Sequence, residues 1–306
     1  MTTVRTLIAL AALLVLASPL RAQADGALLE RRRCDSMRPY EEVEELARAR
    51  RREPPPETEY RRLQRGAVCE RLTYSSDGLR VVAIMVRPTR TAGKRLPVLI
   101  FNHGSGADGA LPEQVQLDQA HWVANGYLYI APQYRGGGGS EGRDEYGGAD
   151  AHDVTNLYPL LRRIPYADTA NIFMWGHSRG GTMTFLALRA GMPVRAAAVT
   201  ATLADYTGWP HSVVASMPDS ARRVGVRQRS AVAWPEQIRA PVLMLHGDAD
   251  RIVPLAPMRR LATQLDSLGR PHELVVYPGG DHNLTGHGDD VHRRIREWFA
   301  RYRGRP

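Results

Sequence analysis

Cysteine is almost absent from this chain. Cys34 and Cys69 are the only two in 306 residues, enough for one bridge and too few for a disulfide-built scaffold. Long apolar runs are missing too: the longest, Leu7 to Leu16, falls short of the roughly 20 residues needed to cross a ~30 Å hydrocarbon core. No stable membrane insertion is expected. No segment repeats at the length of a propeller blade, which excludes an array architecture. Nor do the histidines nearest in sequence take the i,i+4 spacing of a helical metal pair. His282 and His287, with Asp281, Asp289 and Asp290 nearby, are five apart, off the interval that aligns two ligands on one helical face. Gly286 and Gly288 favour a loop there, and neither metal nor cofactor is expected. Acidic residues are the minority, giving a net charge of +9. The arginines are scattered and not interleaved with aromatics on one element, so they read as a solvated surface and not as a nucleic-acid site.

What is present begins with an export signal. Arg5 supplies a positive start, Leu7 to Leu16 an apolar core, and Ala22-Gln23-Ala24 a small-residue cleavage site. The processed chain is expected to be periplasmic or extracellular; the competing reading is an uncleaved anchor. In an oxidising compartment Cys34 and Cys69 either bridge, tying an N-terminal arm to the first strand region, or stay as two buried thiols. Glu41, Glu42, Glu44, Glu45 and Arg48 suit a helix with acid–base pairs three and four apart. Pro54, Pro55 and Pro56 then break it into an extended linker. The division read is a signal at 1–24, a charged helical arm with its Pro-rich linker at 25–65, and one catalytic domain at 66–306.

The segment with most chemical content is Gly176-His177-Ser178-Arg179-Gly180-Gly181. Residues 171–175 before it form an apolar stretch of strand length, and Met183, Leu186 and Ala187 after it recur at helical spacing. Strand, G-x-S-x-G, helix is the context of a nucleophile elbow, where flanking glycines permit a tight turn that exposes the serine hydroxyl. A serine needs a base, and the base an orienting carboxylate. In α/β hydrolases these follow in the order Ser, Asp or Glu, His. Strand 241–245 opens onto Asp248 and Asp250, and strand 273–277 onto His282. Asp250 is preferred, because Asp248 directly follows Gly247 and suits a turn that bonds its own backbone. His282 is preferred over His287, which begins an amphipathic stretch. Upstream, strand 97–101 ends in His103-Gly104-Ser105-Gly106. The backbone N–H groups of Arg179 and Ser105 are therefore the expected oxyanion donors.

Together these residues resemble the catalytic domain of the prolyl oligopeptidase (S9) family. The resemblance extends over Leu72 to Tyr302. It includes Tyr134-Arg135-Gly136 with the glycines after it, Asp150 and Asp153, the doubled Gly180-Gly181, and the loop His246 to Pro254. It implies an α/β-hydrolase fold and places the family's catalytic serine, aspartate and histidine on Ser178, Asp250 and His282. It also implies cleavage of short peptides through an acyl-enzyme. Oligopeptidases of the family usually carry a β-propeller before this domain, and residues 25–65 leave no room for one. Relatives without it are often esterases of the dienelactone-hydrolase kind. A small peptide substrate is the first expectation, an ester the alternative, and a non-catalytic exported binding protein the second alternative.

The remaining pattern fits that fold. Residues 74–88 read as two antiparallel strands about a turn. Strands at 97–101, 127–131, 171–175, 195–200, 241–245 and 273–277 then alternate with helices at 111–125, 149–163, 179–190, 257–268 and 289–301. Such alternation predicts a mostly parallel, doubly wound sheet with helices on both faces, and ligands in such sheets bind beyond the strand carboxyl ends. Between 201 and 239 the pattern loosens. Tyr206 and Trp209 there read either as the lining of an acyl or side-chain pocket or as the core of a packed peripheral helix.

Overall fold

A computed structural model of the chain describes residues 23–49, 53–105, 111–209 and 218–304. All but the last two residues of the expected export signal lie outside these, as does Gly106.

The described strands form one nine-stranded sheet. In chain order they are β1 (Leu28–Arg33), β2 (Ala67–Ser76), β3 (Leu79–Pro88), β4 (Leu96–Asn102), β5 (Leu128–Pro132), β6 (Ala167–His177), β7 (Ala196–Thr200), β8 (Val242–Gly247) and β9 (His272–Tyr277). Their spatial order is β1-β2-β3-β5-β4-β6-β7-β8-β9. The pairs up to β3–β5 are antiparallel and every pair from β5 onward is parallel.

The helices explain why the central strands are continuous apolar runs. The first two are α1 (Tyr40–Ala49) and α2 (Glu57–Gly66); α3 (Leu117–Ala124) and α9 (Gly288–Tyr302) flank the sheet, with α4 (Ala151–Thr155), α5 (Leu157–Leu161), α6 (Arg179–Arg189), α7 (Asp219–Arg229) and α8 (Ala256–Ser267) between them in sequence. Both faces of the sheet are covered, so both alternating sets of side chains must be apolar. Val98, Ile100, Met174, Val199 and Met244 belong to one core cluster. Their neighbours Leu99, Phe173, Ala198 and Leu243 belong to the other, with Trp122 and Phe299 of the flanking helices. Every parallel strand thereby ends at one rim, where β4, β6, β8 and β9 release the loops of interest.

Three elements differ from expectation. Helix 111–125 begins only at Leu117, because Leu111 is held extended by both its backbone groups on the Gln133 amide and Gln116 and Gln119 cap the helix reciprocally. Helix 149–163 is split into α4 and α5: Pro159 cannot donate to the turn before it. The arm contributes an edge strand, β1, before its helix, and the chain turns helical again as α2 directly after the prolines. A disulfide joins Cys34 to Cys69 and so fastens the arm to β2.

Candidate active site

The nucleophile turn is built from glycines that leave no room for a Cβ. β6 ends at His177, α6 starts at Arg179, and Ser178 between them takes φ 53° and ψ −122°, a conformation that costs a non-glycine residue energy and persists only where its surroundings enforce it. The enforcement is visible. Ser178 N–H donates to the Thr200 carbonyl at 2.8 Å, and Gly181 N–H to the Ser178 carbonyl at 3.0 Å. A Cβ on Gly176 would strike the Gly180 carbonyl, and one on Gly180 would overlap the carbonyl of Asn102. One on Gly181 would overlap the Thr202 side chain.

Ser178 Oγ lies 3.0 Å from His282 Nε2, and His282 Nδ1 lies 2.9 Å from Asp250 Oδ2. A carboxylate against Nδ1 fixes the proton there and leaves Nε2 free to accept from the serine hydroxyl. The Asp250 side chain is fully buried, and its other oxygen accepts the Ile252 and Val253 N–H groups at 2.8 Å each. Asp248 instead accepts from Gly279 N–H at 2.7 Å and holds the turn. His287 sits at the start of α9 with its ring on Tyr277, away from Ser178. Of the two carboxylates and two histidines weighed, geometry joins Asp250 and His282 to Ser178.

Buried His246 and half-buried His177 flank this hydrogen-bonded line. His246 Nε2 lies 3.0 Å from the Val253 carbonyl and 3.3 Å from Asp250 Oδ2; burial lowers its pKa. The His177 ring stands 5.3 Å from that of His282, and burial, followed by the neighbouring His282, lowers its pKa to about 4. Both are neutral near pH 7, so neither opposes a positive charge on His282.

The two residues whose amides are expected to bind an oxyanion are Arg179 and Ser105. Arg179 is the first residue of α6, so its N–H has no acceptor within the helix and points from the positive end of its dipole. Ser105 is exposed in the loop after β4. The Arg179 side chain is buried and clamped: it donates to Asp144 at 2.6 and 2.5 Å and to Asp150 at 2.7 Å. Its guanidinium lies between the rings of Tyr134, at 4.8 Å, and Tyr146, at 4.4 Å. Sequence reading missed Asp144 and Tyr146 altogether, because they stand in a glycine-rich loop without periodicity.

A family model for the prolyl oligopeptidase family matches residues 113–305. The chain belongs to the prolyl oligopeptidase family. The match takes in the segments that carry Ser178, Asp250 and His282. Among relatives, an uncharacterized peptidase of Bacillus subtilis, YuxL, is 26% identical over 77% of this chain but only 39% of its own length. A second from that organism, YtmA, is 26% identical over 74% of this chain and 91% of its own length. Among solved structures, the acylaminoacyl peptidase of Pyrococcus horikoshii superposes with a TM-score of 0.68 at 21% identity, covering 81% of this chain and 44% of that one. Its likeness shows the α/β-hydrolase fold.

Around this family member's site, Tyr206 is buried with Leu203 and Val253, and its hydroxyl donates to Thr182 at 3.0 Å. That burial pushes its pKa up to about 12. Trp209 packs half-buried against the same cluster. A cavity of about 750 Å³ is lined by His177, Thr200, Asn283, Phe101 and Trp175. No group of three or more metal-ligating side chains occurs among the described residues, and no helix there is long and apolar enough to cross a membrane.

Proposed function

We propose that this protein is an exported serine hydrolase that cleaves short peptides through an acyl-enzyme, with Ser178 as nucleophile, His282 as base and Asp250 as the carboxylate that orients it. The single observation behind this reading is the continuous hydrogen-bonded line from Ser178 Oγ to His282 at 3.0 Å and on to Asp250 at 2.9 Å. In the acylation step Ser178 Oγ attacks the substrate carbonyl carbon while His282 Nε2 takes its proton. His282 then returns that proton to the leaving amine, and water repeats the sequence to release the acid. The amides of Arg179 and Ser105 hold the oxyanion. Family membership supports a peptide substrate, and the apolar run Leu7 to Leu16 with Ala22 and Ala24 supports export.

Ester cleavage is the second reading. It is favoured by the single nine-stranded sheet, beside which the described residues form no propeller to restrict entry. The test is labelling with a fluorophosphonate, followed by assay of p-nitrophenyl acetate and butyrate against aminoacyl and X-Pro anilides, with Ser178→Ala as the blank. Labelling at Ser178 with anilide turnover is expected. Ester turnover without anilide turnover would favour the esterase. No labelling and no turnover would return the chain to a binding role.

A further inference from the structure

We propose that Tyr146 is a positioning residue for the oxyanion site: one side chain that ties its two backbone donors together and links them to helix α7. The proposal rests on the triad reading above. Ser105 follows β4 and Arg179 opens α6 after β6; the two strands pair directly as far as Asn102 and Gly176, and the ladder stops short of both residues. Tyr146 touches both. Its phenol oxygen lies 2.5 Å from Ser105 Oγ, and the face of its ring covers the Arg179 guanidinium at 4.4 Å.

The residue is held for this from two sides. Its backbone takes φ 55°, a left-handed conformation that a bulky residue adopts only under constraint. Tyr146 N–H donates to Asp144 at 2.8 Å, the same carboxylate that clamps Arg179. From behind, the buried Arg229 of α7 donates to the carbonyls of Tyr146 and Glu145 at 2.9 Å each, and to Gly225 of its own helix at 3.1 Å. A connected path therefore runs from α7 through Arg229 to Tyr146, and from there to Ser105 and Arg179. Oxyanion stabilisation depends on donors preset within a fraction of an ångström. Removing the phenol hydroxyl should loosen Ser105 and weaken the transition state more than substrate binding.

The experiment is a double-mutant cycle of Tyr146→Phe and Ser105→Ala on full-length protein, with p-nitrophenyl butyrate and a cleaved anilide as substrates. Each single variant should lose about tenfold in kcat with KM almost unchanged, the scale of one hydrogen bond acting in the transition state. The double variant should lose no more than either single one, since both remove the same O–H···O contact. Ser178 should still be labelled to completion by the fluorophosphonate, only more slowly. Additive losses, an unchanged kcat in Tyr146→Phe, or a rise in KM at constant kcat would each overturn the positioning role while leaving the triad intact. Labelling at another serine in the wild type would overturn both.

Discussion

Asp250 meets His282 through one carboxylate oxygen, 2.9 Å from Nδ1, while its other oxygen is saturated by two backbone N–H groups of the same loop. The carboxylate is thus fixed before the imidazole reaches it. Asp250→Asn presents an amide in place of one acceptor and destroys the tautomer preference. We expect kcat to fall on the order of 10⁴-fold, the loss associated with neutralising a triad carboxylate, with little change in thermal stability. Asp248→Asn, whose carboxylate holds Gly279, should reduce kcat by less than about tenfold. Steady-state kinetics of the two variants check the assignment; a larger loss at Asp248 would reverse it.

Gly180→Ala should be among the most destructive small substitutions in the chain. Its Cβ would overlap the Asn102 carbonyl, and β4 backbone has no side chain to swing aside. A cost of about 3 kcal/mol or more is expected, from overpacking against a rigid partner. Gly288→Ala, with nothing near its Cβ position, should melt like the wild type. Thermal melts and soluble yields of the pair make the comparison, and equal melts would show that the elbow has slack.

Stability should rise with pH between about 4 and 6.5. Burial lowers the pKa of both His103 and His177 to about 4, whereas the same side chains titrate near ~6.5 when unfolded. Below ~6.5 the unfolded chain therefore binds more protons than the native one. The native state loses stability as pH falls through this window and loses no more from these groups below about 4. Each histidine contributes a slope of up to about 1.4 kcal/mol per pH unit. Urea denaturation at several pH values should show the slope, and His177→Gln should flatten it.

Replacing Cys34 and Cys69 by serine opens a loop with a sequence separation of 35. Loop-closure entropy predicts a loss of about 3–4 kcal/mol. The bridge fastens the arm to β2, four places along the sheet from β6 and further from β8 and β9, so kcat per folded molecule should be unchanged. A lowered melt with retained specific activity is the expected result, and loss of activity at a constant melt would contradict it.

By itself the sequence determined the strand–elbow–helix around Ser178 and the rim on which Ser178, Asp250 and His282 stand, because these depend on local patterns. Buried parallel strands must be continuous apolar runs, tight turns must use glycine, and their order along the chain is the order of the loops. It also favoured Asp250 over Asp248 on a local ground, the turn at Gly247. What it did not determine was everything resting on contacts between distant segments. The strand at Leu28–Arg33 exists because β2 offers it an edge, although its own charge-rich sequence shows no strand pattern. Tyr206 donates to Thr182, a contact that periodicity could not reveal. Asp144, Tyr146 and Arg229 come from a loop and a helix up to 85 residues apart in number, yet they converge on Arg179 and its neighbours. Such a network is chosen by the need to pair a buried guanidinium, and a pairing of that kind is visible only when the chain is folded.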